Sequence, residues 1–146
     1  MEIKILRPGD EAVLARVAPD VFDGELDPKA SAEFLRDQRH HIAVAIDEGT
    51  VVGFASGIHY FHPDKPRPEL FVNELGVSLS YRRRGVATAV LRALLRVGKH
   101  LGCAQAWVLT EATNGAAAGF YASLPEADRE KDPLMFGFEL DHDESE

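Results

Sequence analysis

The stretch ELFVNELGVSLSYRRRGVATAVLRALL, residues 69–95, joins two apolar runs of different period through three arginines and a glycine. Residues 69–77 read as a strand, whereas Val86, Ala87, Val90, Leu91, Leu94, Leu95 and Leu101 recur at helical spacing. A strand that turns through glycine into a helix leaves backbone N–H groups unpaired at the helix start, where the helix dipole favours negative charge. Gly85 removes the side chain where a ligand would approach, Ala87 is small, and Arg82, Arg83 and Arg84 add charge around the rim. Taken alone, the motif leaves two readings open, a solvated basic loop or a phosphate cradle. A nucleic-acid patch fits less well: 16 Lys and Arg stand against 24 Asp and Glu, net charge -8, with no second basic cluster interleaved with aromatics.

The chain's 146 residues, 45% of them hydrophobic, predict one globular domain over residues 1–140 and an acidic tail over 141–146 that frays. The N-terminal MEIKILRPGD never reaches the apolar core of a signal peptide, and no run approaches membrane-spanning length, so a cytoplasmic location is expected. Cys103, the single cysteine, reads as a small buried apolar residue at a helix-to-strand junction. His40-His41 and His59-x-x-His62 lack a clear third ligand, so no metal is expected. Trp107 and the phenylalanines read as core.

Outward from the opening stretch, residues 2–7 alternate as a strand, and Asp10 is placed to cap a helix over residues 10–18. After a loop, Asp27-Pro28 form an N-cap and first-turn pair for a second helix to about residue 37. Strands over 42–46 and 51–60 flank the turn Asp47-Glu48-Gly49-Thr50. Residues 61–68 (FHPDKPRP) read as a loop because three prolines oppose a sheet interior. Beyond the long helix and a Gly102 stop come a short strand over 105–109, an Ala-rich helix over 114–124 and a final strand over 134–140. The order β-α-α-β-β-β-α-β-α-β describes an α/β chain with a mixed, mostly antiparallel sheet and helices on both faces.

Arg82-x-x-Gly85-x-Ala87, set between Leu75-Gly76-Val77 and a long helix, resembles the acetyl-CoA-binding motif of the GNAT superfamily of N-acetyltransferases. Asn114, Ala117 and Tyr121 stand at the offsets of that family's next motif, and the element order agrees, so the resemblance implies a GNAT fold over nearly the whole chain. Within the family the sequence is most similar to the small aminoglycoside 3-N-acetyltransferases, through residues 21–26 (VFDGEL), Arg67-Pro68-Glu69, Glu74-Leu75-Gly76-Val77 and residues 135–140 (MFGFEL). It departs from the wider family at Leu124-Pro125-Glu126, where Leu-Gly-Phe is usual, and in the charged run to Asp132.

The resemblance implies an acetyl-CoA-dependent acyltransferase acting on an aminoglycoside, at its 3-amino group, and conferring resistance. Another small amine, a peptide N-terminus, or acyl-CoA binding without catalysis are the alternatives. Arg82, Arg83, Arg84, Gly85, Val86, Ala87 and Thr88 would hold the pyrophosphate, and backbone groups of Leu75, Gly76 and Val77 would pair with the pantetheine arm, with Asn114 and Ala117 on its other side. A strand N–H near Leu75 could stabilise an oxyanion. Glu74 is the candidate base, direct or through water, or else an exposed strand residue. Tyr121 is the candidate proton donor to the leaving thiolate, or else a packed core tyrosine. A polycationic acceptor needs carboxylates, for which Asp23, Glu25, Asp27 and Glu111 are the candidates against a reading as solvated surface acids. The family often dimerises, so a homodimer is expected from the resemblance; neither nucleic acid nor membrane is an expected partner.

Overall fold

The computed structural model of the chain describes residues 1–111, 114–130 and 132–141. It divides into two units, Met1–Leu109 and Thr110–Glu146. The first unit is a five-stranded sheet in the order β1-β2-β3-β4-β5: β1 Glu2–Ile5, β2 His40–Asp47, β3 Thr50–His62, β4 Lys65–Val77 and β5 Ala106–Val108. The first four strands pair antiparallel and β5 joins β4 in parallel, giving the mixed α/β sheet of the sequence reading.

Two helices cover this sheet. Helix α1, Pro28–Arg36, starts where Asp27 accepts the Lys29 N–H at 3.1 Å, with proline in the first turn. Its Leu35 joins Leu14, Val21, Ile42, Val44, Val51 and Phe54 in one buried cluster. Helix α2, Val86–His100, lies on the other face. Ala43, Ala45, Gly53, Ala55 and Gly57 alternate along β2 and β3 and share that face through the register. They form a floor without bulk: a Cβ on Gly53 would stand 2.7 Å from Val86, and one on Gly57 would meet Leu94 at 3.4 Å. The fully buried Leu94 and Val90 fill that approach, each contributing about 1.5–3 kcal/mol of burial.

Three elements differ from the sequence reading. Residues 10–18 do not form an α-helix; Glu11–Ala15 make a 3-10 turn. Asp10 turns its carboxylate back to the Arg7 N–H at 2.8 Å, and Val17 forms a parallel bridge with Val51. The bridge bonds, Val51 N–H to the Arg16 carbonyl and Ala18 N–H to the Val51 carbonyl, hold the chain extended where a helix would continue. Residues 61–68 are not a loop but the end of a β3–β4 hairpin turning at Pro63-Asp64. Tyr60 pairs with Glu69 and His62 with Lys65, so β4 carries two extra residues there, and its prolines fall within this irregularity. Residues 134–140 are not a strand, and Leu134, Phe136, Phe138 and Leu140 are exposed.

In the second unit, helix α3, Gly115–Ser123, is capped by Asn114, whose Oδ1 accepts the Ala117 N–H at 3.2 Å. Residues 142–146 of the expected acidic tail lie outside the described residues.

Candidate functional site

A single extra residue in β4 prepares an opening in the sheet. Ser56 pairs with Glu74 and Gly57 with Val72, which leaves Asn73 bulged out of register. On the other side of β4, pairing with β5 runs from Leu70–Ala106 to Val72–Val108 and stops at the bulge. Ser78 sends its N–H to the Val52 carbonyl on β3, so by alternation Leu75 and Val77 direct their backbone groups to the opposite edge. Among the described residues no strand pairs with that edge beyond Val72.

The open edge leads into the arginine turn. Gly85 is the N-cap of α2 in the left-handed region, φ 78°, and brings no side-chain hydrogen bond to the helix start. The first helical bond runs from the Ala89 N–H to the Gly85 carbonyl, so Val86, Ala87 and Thr88 precede the helical ladder. Arg83 is also left-handed, at φ 62°, two residues before Gly85, so the turn into the helix takes φ positive twice. Arg82, Arg83 and Arg84 are all exposed; Arg84 lies over the Tyr81 ring at 5.1 Å, and the Tyr81 hydroxyl is tied to Asp47. A clamp the sequence reading missed fixes the turn between β4 and the arginine stretch: Asp20 accepts the Ser78 hydroxyl at 2.8 Å and the Leu79 N–H at 2.7 Å. The Leu79 N–H first, then Ser78, holds the Asp20 carboxyl below its usual range. Its partner lies 58 residues away, and no local signal marks it.

The register also assigns faces. Glu74 and Gly76 lie opposite Ser56 and Phe54, on the face covered by the loop before α1. That loop crosses the strand closely: a Cβ on Gly76 would stand 2.2 Å from the Val21 carbonyl oxygen, and Phe22 stacks on Phe54 at 3.9 Å. Glu74 thus shares a sheet face with the segment that carries Asp23, Glu25 and Asp27. The three acids differ in surroundings. Asp23 is exposed, Asp27 is engaged as the cap of α1, and Glu25 lines a cleft of about 640 Å³ together with Glu11, Leu14, Phe22 and Leu26.

Glu111, Asn114, Ala117 and Tyr121 belong to the second unit. The Asn114 N–H donates to the Glu111 carbonyl at 3.0 Å, and Tyr121 packs beside Phe120 with ring centroids 5.2 Å apart. Burial pushes the Tyr121 phenol above 10.0, so it keeps its proton at neutral pH. Several residues depart from their core reading: Phe61, Phe136 and Phe138 are largely exposed, Trp107 is 37% exposed, and Cys103 is only half-buried. Trp107 lies on β5, the last strand in the sheet order, a placement that only the strand order reveals.

The sequence profile described as Acetyltransferase (GNAT) family matches residues 12–124. No curated protein matches the chain. Similar solved structures include an aminoglycoside acetyltransferase from an uncultured soil metagenomic sample in complex with trehalose, 17% identical over 94% of this chain and 96% of that one, TM-score 0.77. Another is aminoglycoside N-acetyltransferase AAC(6')-Iy in complex with CoA, 20% identical over 95% of this chain and 94% of that one, TM-score 0.75. A third is a ribosomal-protein-alanine N-acetyltransferase from Brucella melitensis biovar Abortus 2308, 18% identical over 93% and 99%, TM-score 0.67. At such identities the likeness is one of fold.

Proposed function

The chain belongs to the acetyltransferase (GNAT) family, and on that premise we propose that it acetylates an amine of an aminoglycoside-type polycation. The observation that carries the proposal is the continuity of the open β4 edge with the uncapped start of α2 on one side, and of Glu74 with the acid-bearing loop on the other. When bound, acetyl-CoA supplies the acetyl group as a thioester. The residues present fit it: an extended edge for the pantetheine arm and an uncapped helix start rimmed by arginines for the pyrophosphate.

The chain's own groups divide the work. Val86, Ala87 and Thr88 N–H groups with Arg82, Arg83 and Arg84 would hold the pyrophosphate of the cofactor, and backbone groups of Leu75, Gly76 and Val77 would pair with its pantetheine arm. The Leu75 N–H, directed to the open edge of β4, would stabilise negative charge developing on a thioester oxygen there. Glu74 takes the proton of the incoming ammonium, directly or through water, since an alkylammonium has no lone pair to attack with. Tyr121 keeps a proton at its Oη for the departing sulfur, and Asn114 and Ala117 open the helix that carries it. Asp23, Glu25, Asp27 and Glu111 attract the remaining ammonium groups of the acceptor.

We assign transfer to the 3-amino group, with loss of one cationic charge and its donors from the drug, hence resistance, as the consequence. The chain acts in the cytoplasm as a single domain over residues 1–140 and can pair as a homodimer. The test incubates the protein with acetyl-CoA and, in turn, aminoglycosides, linear polyamines and a peptide with a free N-terminus, following thiol release and locating the acetyl group by product NMR. Turnover of aminoglycosides at the 3-amino group is the expected result, with Glu74→Gln lowering kcat by about 10²-fold. Turnover confined to the peptide would sink the acceptor assignment.

A further inference from the structure

The sheet face that carries Glu74 continues into a row of side chains that none of these roles uses. Phe71 lies opposite Ile58 on β3 and beside Trp107 on β5, and Glu69 lies opposite Tyr60, all on the Glu74 face. The Phe71 and Trp107 rings are 4.5 Å apart at 35°. Trp107 Nε1–H donates to the Tyr60 hydroxyl at 2.5 Å, and that hydroxyl donates to Glu69 Oε1 at 3.0 Å. The other Glu69 oxygen faces His62 Nε2 at 3.6 Å. The Tyr60 hydroxyl is the largest influence holding the Glu69 carboxyl below its usual range, while burial pushes the Tyr60 phenol up, so the chain of donors runs one way. The indole is therefore fixed through its single polar atom while 37% of the residue stays exposed. That combination presents a rigid, flat apolar surface beside a carboxylate.

We infer that Trp107, backed by Phe71 and oriented by Tyr60 and Glu69, is a stacking platform for a ring of the acceptor amine. Glu74 pairs with Ser56 and Phe71 with Ile58, so two residues of β3 separate the carboxylate from the aromatic pair, about 7 Å along the strand. That is the span of a saturated six-membered ring with an amine at its edge. Such a ring turns a face of C–H bonds to the negative face of an indole; a linear polyamine has no such face. The inference rests on the acetyltransferase reading of the Glu74 end and specifies the acceptor as a ring-borne amine. Tyr60 and Glu69 are positioning residues, acting through Trp107.

Trp107 is the only tryptophan in the chain, so intrinsic emission reports on this one place. The protein without acetyl-CoA is titrated with sisomicin, which carries amino groups on rings, and with spermidine, which is linear, while calorimetry follows binding of each. A saturable emission change with sisomicin and none with spermidine is expected. Trp107→Leu should raise KM for sisomicin about 3- to 10-fold with kcat and the KM for acetyl-CoA held, and Tyr60→Phe, which keeps the ring volume, should raise it part of the way. Thiol release from sisomicin without an emission change overturns the platform and leaves the transfer reading standing. An emission change without thiol release on any amine does the reverse, and neither signal overturns both. An equal rise in KM for sisomicin and spermidine in Trp107→Leu would make the indole merely structural and overturn the platform.

Discussion

Gly85 sits at φ 78° with nothing within 4 Å of where a Cβ would stand, so the cost of a side chain there is conformational and not steric. Gly85→Ala should lower stability by only about 1 kcal/mol, yet put a methyl group at the uncapped start of α2. Calorimetry with CoA should then show affinity falling by more than about 10-fold; affinity within twofold of the parent would remove the cradle from cofactor binding. His41 makes a second residue-scale case. Its Nε2 and His59 Nδ1 lie 2.7 Å apart, so one ring donates and the other accepts. Burial first, then His59 and His40, brings His41 down from 6.5 to about 4. The unfolded chain therefore takes up a proton that the folded chain refuses, and stability present above pH 6.5 is lost as pH falls toward 4. Urea midpoints measured across that interval should decline for the parent and decline less steeply for His41→Gln; identical slopes would place the acid sensitivity elsewhere.

Between elements, close approach decides the architecture. The loop before α1 crosses β4 at Gly76, where an added Cβ would meet the Val21 carbonyl at 2.2 Å and a Phe54 ring carbon at 3.0 Å. Backbone cannot yield as a flexible side chain can. Gly76→Ala should cost about 2 kcal/mol of stability by thermal unfolding and should raise KM for the amine more than for acetyl-CoA, because it is the acid-bearing loop that shifts. Equal effects on both would mean that the loop does not serve the acceptor. At this scale the sequence was legible wherever a signal lies within a few residues. Asp27-Pro28 and Asn114 mark helix starts that the structure bears out, and Glu48-Gly49, both at positive φ, mark the β2–β3 turn. It was illegible where a distant strand outcompeted local preference. Val17 reads as a helical position, but two hydrogen bonds with Val51 claim the backbone around it. The prolines after His62 oppose a strand, but a two-residue irregularity accommodates them.

Over the molecule as a whole, a net charge of -8 surrounds a local cluster of three arginines. A field of that sign draws a polycationic amine toward the surface, and salt screens it, with a Debye length of about 10 Å at 0.1 M. Raising salt from about 0.05 to about 0.5 M should therefore raise KM for a tetracationic amine several-fold and leave KM for acetyl-CoA unchanged or lower. A salt-independent KM for the amine would show that short-range contacts alone recruit it.

Local sequence signals carried the left-handed glycine turn, the long helix, the alternation of most strands and, through two spaced motifs, the family. These are encoded in φ preferences, caps and periodicities that act within one or two turns of chain. Long-range pairing set the rest: Asn73 is the bulged residue, β4 and β5 pair no further than Val72, Asp20 clamps Ser78 and Trp107 hangs from Tyr60. Each of those depends on which strand meets which and in what register. A register is chosen by the sum of contacts across a face, and no single stretch of sequence carries that sum.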